Sequence, residues 1–109
     1  MLLVDMPRMM RDIIGTILAG EPDLEIVGEL DTGDALIDCA QRTWPDFLII
    51  GSEPSAVAAS KRLLAGRRPL RVLEVVEEGR MGYIYERSPE RIFVGDISPD
   101  VLLAAVRGS

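Results

Sequence analysis

The chain has no histidine, a single cysteine (Cys39) and a single lysine (Lys61) among its 109 residues. Without histidine and with one thiol, a zinc or redox-metal site has too few soft ligands to form. A lone cysteine cannot close an internal disulfide, which fits a reducing compartment. Acidic residues outnumber basic ones and the net charge is −6, so the broad basic patch that phosphate backbones require is missing. The local basic cluster Arg67-Arg68 with Arg71 reads as a solvated helix-to-strand turn that complements a helix C-terminus. No apolar run approaches the length of a membrane span. The N-terminus lacks the basic region and cleavage site of a secretory signal, so the expected location is the cytoplasm. Neither a glycine loop of phosphate-binding type nor a nucleophile beside a base is present, and no enzymatic activity is expected.

What is present is an alternation of short apolar runs and helical stripes over one domain, residues 1–109. Leu2 to Asp5 reads as a strand, followed by a helix with Pro7 near its first turn and Met6, Met10, Ile13, Ile14, Ile17 and Leu18 at helical spacing. Leu24 to Leu30 reads as a second strand. A second helix starts at Asp31-Thr32-Gly33-Asp34, buries Leu36, Ile37 and Ala40, and stops before Trp44-Pro45. Cys39 falls near its apolar stripe, and Trp44 reads as a lid over it. Phe47 to Ile50 is a continuous apolar run, the pattern of a fully buried parallel strand. Glu53-Pro54-Ser55 opens a third helix, Arg71 to Val76 forms a fourth strand, and a fifth runs from about Arg91 to Val94. The closing helix opens with Ser98 as N-cap and Pro99 at its first position.

One segment departs from the alternation. Between the fourth and fifth strands, Met81, Tyr83 and Tyr85 alternate with Gly82, Ile84 and Glu86, a period of two and not 3.6, which favours a strand over a short irregular helix. Glu78-Gly79 just before it is a hairpin signal. The pattern predicts an extra antiparallel strand where a helix would otherwise connect strands four and five.

Leu2-Leu3-Val4-Asp5, Pro45 to Gly51, and Gly95-Asp96-Ile97-Ser98-Pro99-Asp100 together resemble the receiver domain of bacterial response regulators, the phosphorylated modules of two-component signalling. The resemblance implies a flavodoxin-like, doubly wound α/β sheet of five parallel strands in the order 2-1-3-4-5, with the fourth helix replaced by the extra strand. It also implies a site: an acidic pair after strand one, a phosphoacceptor Asp after strand three, a hydroxyl ending strand four and a Lys ending strand five. The carboxylates would hold Mg²⁺, and metal and Lys would neutralise charge on the transferred phosphoryl group. In this chain those positions fall on Asp5-Met6, Gly51, Val76 and Gly95. One acid is left, and the phosphoacceptor, hydroxyl and lysine are all gone.

With the chemistry removed, the resemblance implies a pseudo-receiver: a phosphorylation-independent protein-interaction module in signal transduction or transcription regulation, without cofactor or metal. Its partner would be a signalling or transcription component or a second copy. Met81, Tyr83 and Tyr85 then form a candidate interaction surface, or else they cover the core where the helix is missing. The alternative function is a small-ligand sensor using the vacated pocket beside Gly51 and Gly95. Asp5 would be either a relic metal ligand or a hydrogen-bonding residue of the loop.

Overall fold

The computed structural model describes residues 1–66, 70–76, 81–85, 92–95 and 97–107. In chain order the elements are β1 (Leu2–Val4), α1 (Arg8–Ala19), β2 (Gly28–Leu30), a 3-10 turn (Gly33–Ala35) running into α2 (Leu36–Thr43), β3 (Phe47–Ile50), α3 (Pro54–Leu64), β4 (Arg71–Val76), β5 (Met81–Tyr85), β6 (Ile92–Gly95) and α4 (Pro99–Arg107). They form an α/β domain around one sheet of order β2-β1-β3-β4-β5-β6. The first four strands in this order are mutually parallel. β5 pairs antiparallel with both β4 and β6, so the sheet is mixed.

Alternation of side chains across the sheet sorts the core into two layers. Leu3, Phe47, Ile49, Leu73, Val75 and Ile84 face α1 and α4, where Ile14, Leu18, Leu102 and Ala105 meet them. Leu2, Val4, Leu48, Ile50, Val72 and Tyr85 face α2 and α3, where Leu36, Cys39, Ala56 and Ala59 complete the second layer. The unbroken run Phe47 to Ile50 is buried at every position because both faces of β3 are covered. Ile84 serves one layer while Tyr85 serves the other, which is the period of two read from the sequence.

The helix ends follow the chemistry of their residues. Ser98 Oγ accepts from the Val101 N–H at 3.2 Å, capping α4. Thr32 Oγ1 accepts from the Asp34 N–H at 3.3 Å at the start of the 3-10 turn. Trp44 ends α2 in the left-handed region, φ 47°, with its N–H returned to the Ala40 carbonyl.

Several expectations are corrected. The sheet is not a contiguous set of five parallel strands: β5 stands between β4 and β6, so the fourth and fifth parallel strands do not touch. The second strand is confined to Gly28–Leu30, because Leu24 and Ile26 pack as side chains on the first layer without joining the ladder. Ile13 is 46% exposed and lies outside the buried stripe of α1. Trp44 is 51% exposed and is no closed lid. The hairpin signal Glu78-Gly79, the pair Arg67-Arg68, and Glu86, Arg91 and Asp96 lie outside the described residues. Among the described residues no helix is long and apolar enough to cross a membrane.

Candidate functional site

At the carboxyl ends of the parallel strands the chain turns sharply after β1. Asp5 adopts φ 55°, a left-handed conformation that Asp tolerates better than most residues. Its N–H donates to the Leu30 carbonyl at 2.9 Å, fixing the turn to β2. The turn swings the Asp5 carboxylate across the end of β3, where its Oδ2 accepts from the Glu53 N–H at 3.0 Å. Glu53 is the residue before α3, so this bond satisfies a donor at the helix start. Ser55 Oγ in turn donates to Glu53 Oε1 at 2.7 Å.

This arrangement explains Gly51. Its N–H bonds the Val4 carbonyl at 2.9 Å, and it is buried. A Cβ built on it would stand 2.3 Å from the Asp5 carbonyl oxygen and 2.6 Å from Asp5 Oδ2. Gly51 is required by space, and the space is taken by Asp5. The place where the resemblance puts a phosphoacceptor side chain is therefore filled by the remaining acid.

The other positions disperse. Met6 is buried in the α1–α4 layer, so the residue beside Asp5 belongs to the core. Val76 ends β4 opposite Met81 of β5. Gly95, at φ 77°, ends β6 and pairs with Gly82. Because β5 intervenes, Gly95 is two strand spacings, about 10 Å, from β4. Asp5 and Gly51 are brought together, Val76 ends the neighbouring strand β4, and Gly95 is set apart from β4 by β5. Among the described residues no group of three or more potential metal-ligating side chains forms. A cleft of about 330 Å³ lies at the opposite end of the sheet, among Leu24, Phe47, Leu70, Arg71 and Val106.

Comparison of the chain with protein-family models, with curated proteins and with solved structures finds no match. The likeness to receivers rests on the residues themselves.

Asp5 is a carboxylate in an unfavourable setting. Burial raises its pKa above the ordinary value; the Glu53 N–H bond opposes this, and the neighbouring Glu53 carboxylate adds to it. An acid whose pKa is raised on folding contributes stability below its unfolded pKa and loses it as pH rises through the folded one. Asp5→Asn keeps an oxygen for the Glu53 N–H, suits φ 55°, and removes the charge. The variant is expected to be more stable than the wild type at pH 7, with the advantage vanishing as pH falls towards the ordinary carboxylate range. Urea melts of both proteins across that window test this; a variant less stable at pH 7 would show that the charge itself is stabilising.

The second candidate surface is the inserted strand. Tyr83 and Tyr85 point to the same side of β5, towards the α2–α3 layer. Tyr85 is 9% exposed, and its hydroxyl donates to Glu74 Oε1 at 2.7 Å. Lys61 on α3 lies 6.0 Å from the Tyr85 ring centroid, at the outer limit of a cation–π contact. Tyr85 thus closes the core beside α3 and offers little surface. Tyr83 and Met81 are half-buried and present part of their side chains outward. Sequence reasoning missed Glu74: an acid inside an apolar strand, two residues short of Val76, was the available signal for a buried polar pair.

Proposed function

We propose that this chain is a phosphorylation-independent, receiver-like interaction module of cytoplasmic signal transduction or transcription regulation, with a flavodoxin-like sheet extended by one inserted strand. The observation that carries the reading is the Asp5–Gly51 contact. The one acid left at the strand ends fills the position of the missing phosphoacceptor and latches the β1 turn to the start of α3. A domain held in this way has no phosphoryl group to respond to, and its output must come from a surface that is always presented. The remodelled segment supplies that surface through Met81 and Tyr83, residue types enriched at interfaces.

Incubation with acetyl phosphate and Mg²⁺ tests the proposal, read by intact mass and by melting temperature. The expected result is no covalent increment and no Mg²⁺-dependent shift. A phosphorylated species would overturn it. Partner capture should also be lost in Tyr83→Lys under conditions where circular dichroism shows the variant still folded; capture that survives this substitution places the working surface elsewhere.

A further inference from the structure

The amino ends of the strands frame the cleft that lies opposite the Asp5 turn. Phe47 opens β3 and pairs with Arg71, which opens β4; the Arg71 N–H donates to the Asp46 carbonyl at 3.1 Å. An acid and a guanidinium thus stand side by side at the starts of two strands about 5 Å apart. Both line the cleft of about 330 Å³, together with the apolar residues Leu24, Phe47, Leu70 and Val106. Phe47 is buried, and Leu24 and Val106 pack on the first core layer, so this apolar lining is continuous with the core. Arginine contacts hold the walls in place. Arg71 Nη1 donates to the Ala105 carbonyl at 2.7 Å and fixes the last turn of α4. Arg107 Nη2 donates to Glu21 Oε2 and to Asp23 Oδ1, each at 3.0 Å, tying the end of α4 to the connection between α1 and β2. Arg107 and Asp23 neutralise each other, whereas Asp46 and Glu25 bring negative charge to the same cleft as Arg71.

We propose that this cleft binds a free α-amino acid with an apolar side chain. Such a molecule carries the three features of the cleft in complementary form. Its carboxylate meets the Arg71 guanidinium, a charge-assisted and directional pairing. Its ammonium meets Asp46, with Glu25 as a second carboxylate, and its side chain lies against Phe47, Leu24 and Val106. A fatty acid would set an uncharged chain against Asp46, and an alkylamine would set a second cation beside Arg71. A zwitterion satisfies both signs at once and leaves neither charge desolvated against an apolar group. The volume is at the lower end of the range for small-molecule pockets, which suits a molecule of this size and not a peptide helix. Walls already fixed by Arg71 and Arg107 need little reordering when the ligand enters. The site is at the other end of the sheet from Gly51 and is independent of the interaction surface at Met81 and Tyr83.

The test is isothermal titration calorimetry of the full chain with L-leucine, L-methionine and L-phenylalanine up to millimolar concentration. Saturable binding of at least one is the expected result, with a melting temperature that rises with its concentration. Analogues of the tightest binder isolate each charge; for leucine they are leucinamide, which lacks the carboxylate, and isocaproate, which lacks the amine. Each should bind about tenfold more weakly or worse, because each forfeits a charge-assisted contact. Amide exchange should show protection by the ligand at residues 23–25, 46–47 and 70–71. Asp46→Asn and Arg71→Met should weaken binding by a similar factor while circular dichroism shows them folded. If Arg71→Met fails to fold because α4 loses the bond to the Ala105 carbonyl, the analogue series on the wild type decides. Failure of all three amino acids to bind overturns the proposal. So does an analogue that binds as well as its parent, binding that Asp46→Asn leaves unchanged, or protection confined to the carboxyl ends of the strands. Every one of those outcomes leaves the interaction reading to its own tests, acetyl phosphate labelling and partner capture by Tyr83→Lys.

Discussion

Gly51→Ala is expected to destabilise the protein by about 3 kcal/mol, the upper end of what overpacking a filled site costs. For a domain of this size the fall in Tm is on the order of 10 °C. The reason is geometric. The added methyl would meet the Asp5 carbonyl oxygen at 2.3 Å, and that oxygen belongs to a turn already pinned by the Leu30 carbonyl and the Glu53 N–H. Backbone strain is not the cause, since Gly51 is not among the positive-φ residues. Asp5→Gly removes the carboxylate and frees the turn to shift, so Gly51→Ala should cost less in that background. The two substitutions are neighbours and should be strongly non-additive. Thermal melts of the four proteins measure the coupling. A Gly51→Ala protein that melts with the wild type would show that the contact yields easily.

Tyr85→Phe should have the second largest effect, a loss of about 1–3 kcal/mol. The substitution leaves ring packing intact and removes one atom. That atom donates to Glu74 Oε1 at 2.7 Å, and Glu74 is only 7% exposed. A buried carboxyl deprived of a donor costs far more than the net worth of the bond that is lost. Tyr85→Phe/Glu74→Leu removes both polar groups together and should recover much of the deficit. A double-mutant cycle by urea denaturation gives the coupling directly. If Glu74→Leu alone is as stable as the wild type and Tyr85→Phe costs nothing in either background, the pair is ornamental and the inserted strand is held by apolar contacts alone.

These two sites differ in how far they could be read from the chain. Alternation in Met81 to Tyr85 is a local signal, and the strand it predicts lies where expected. Its place between β4 and β6 follows from the same short connections that make hairpins. The truncation of the second strand was not legible, because Leu24 and Ile26 are apolar for packing reasons and carry no mark of whether their backbone joins a ladder. Ile13 fails similarly: the helical stripe is wider than the face that α1 buries. At the candidate site, the sequence alone shows that Gly51, Val76 and Gly95 offer no side chain able to bind or accept a phosphoryl group. The contact that fills the gap could not be read there. It depends on the left-handed turn at Asp5 bringing together residues 5, 51 and 53, and a sequence shows such proximity only through substitutions tolerated in relatives.

The Asp5–Gly51 contact also limits which substitutions the site can accept. An acidic side chain cannot enter position 51 in one step, because any Cβ there collides with residue 5. Shrinking residue 5 first gives up the bond that holds the start of α3. Either first step passes through a less stable protein, so residues 5 and 51 are expected to change together and not one at a time. The contact works as a ratchet: once residues 5 and 51 have settled against each other, neither is free to move alone.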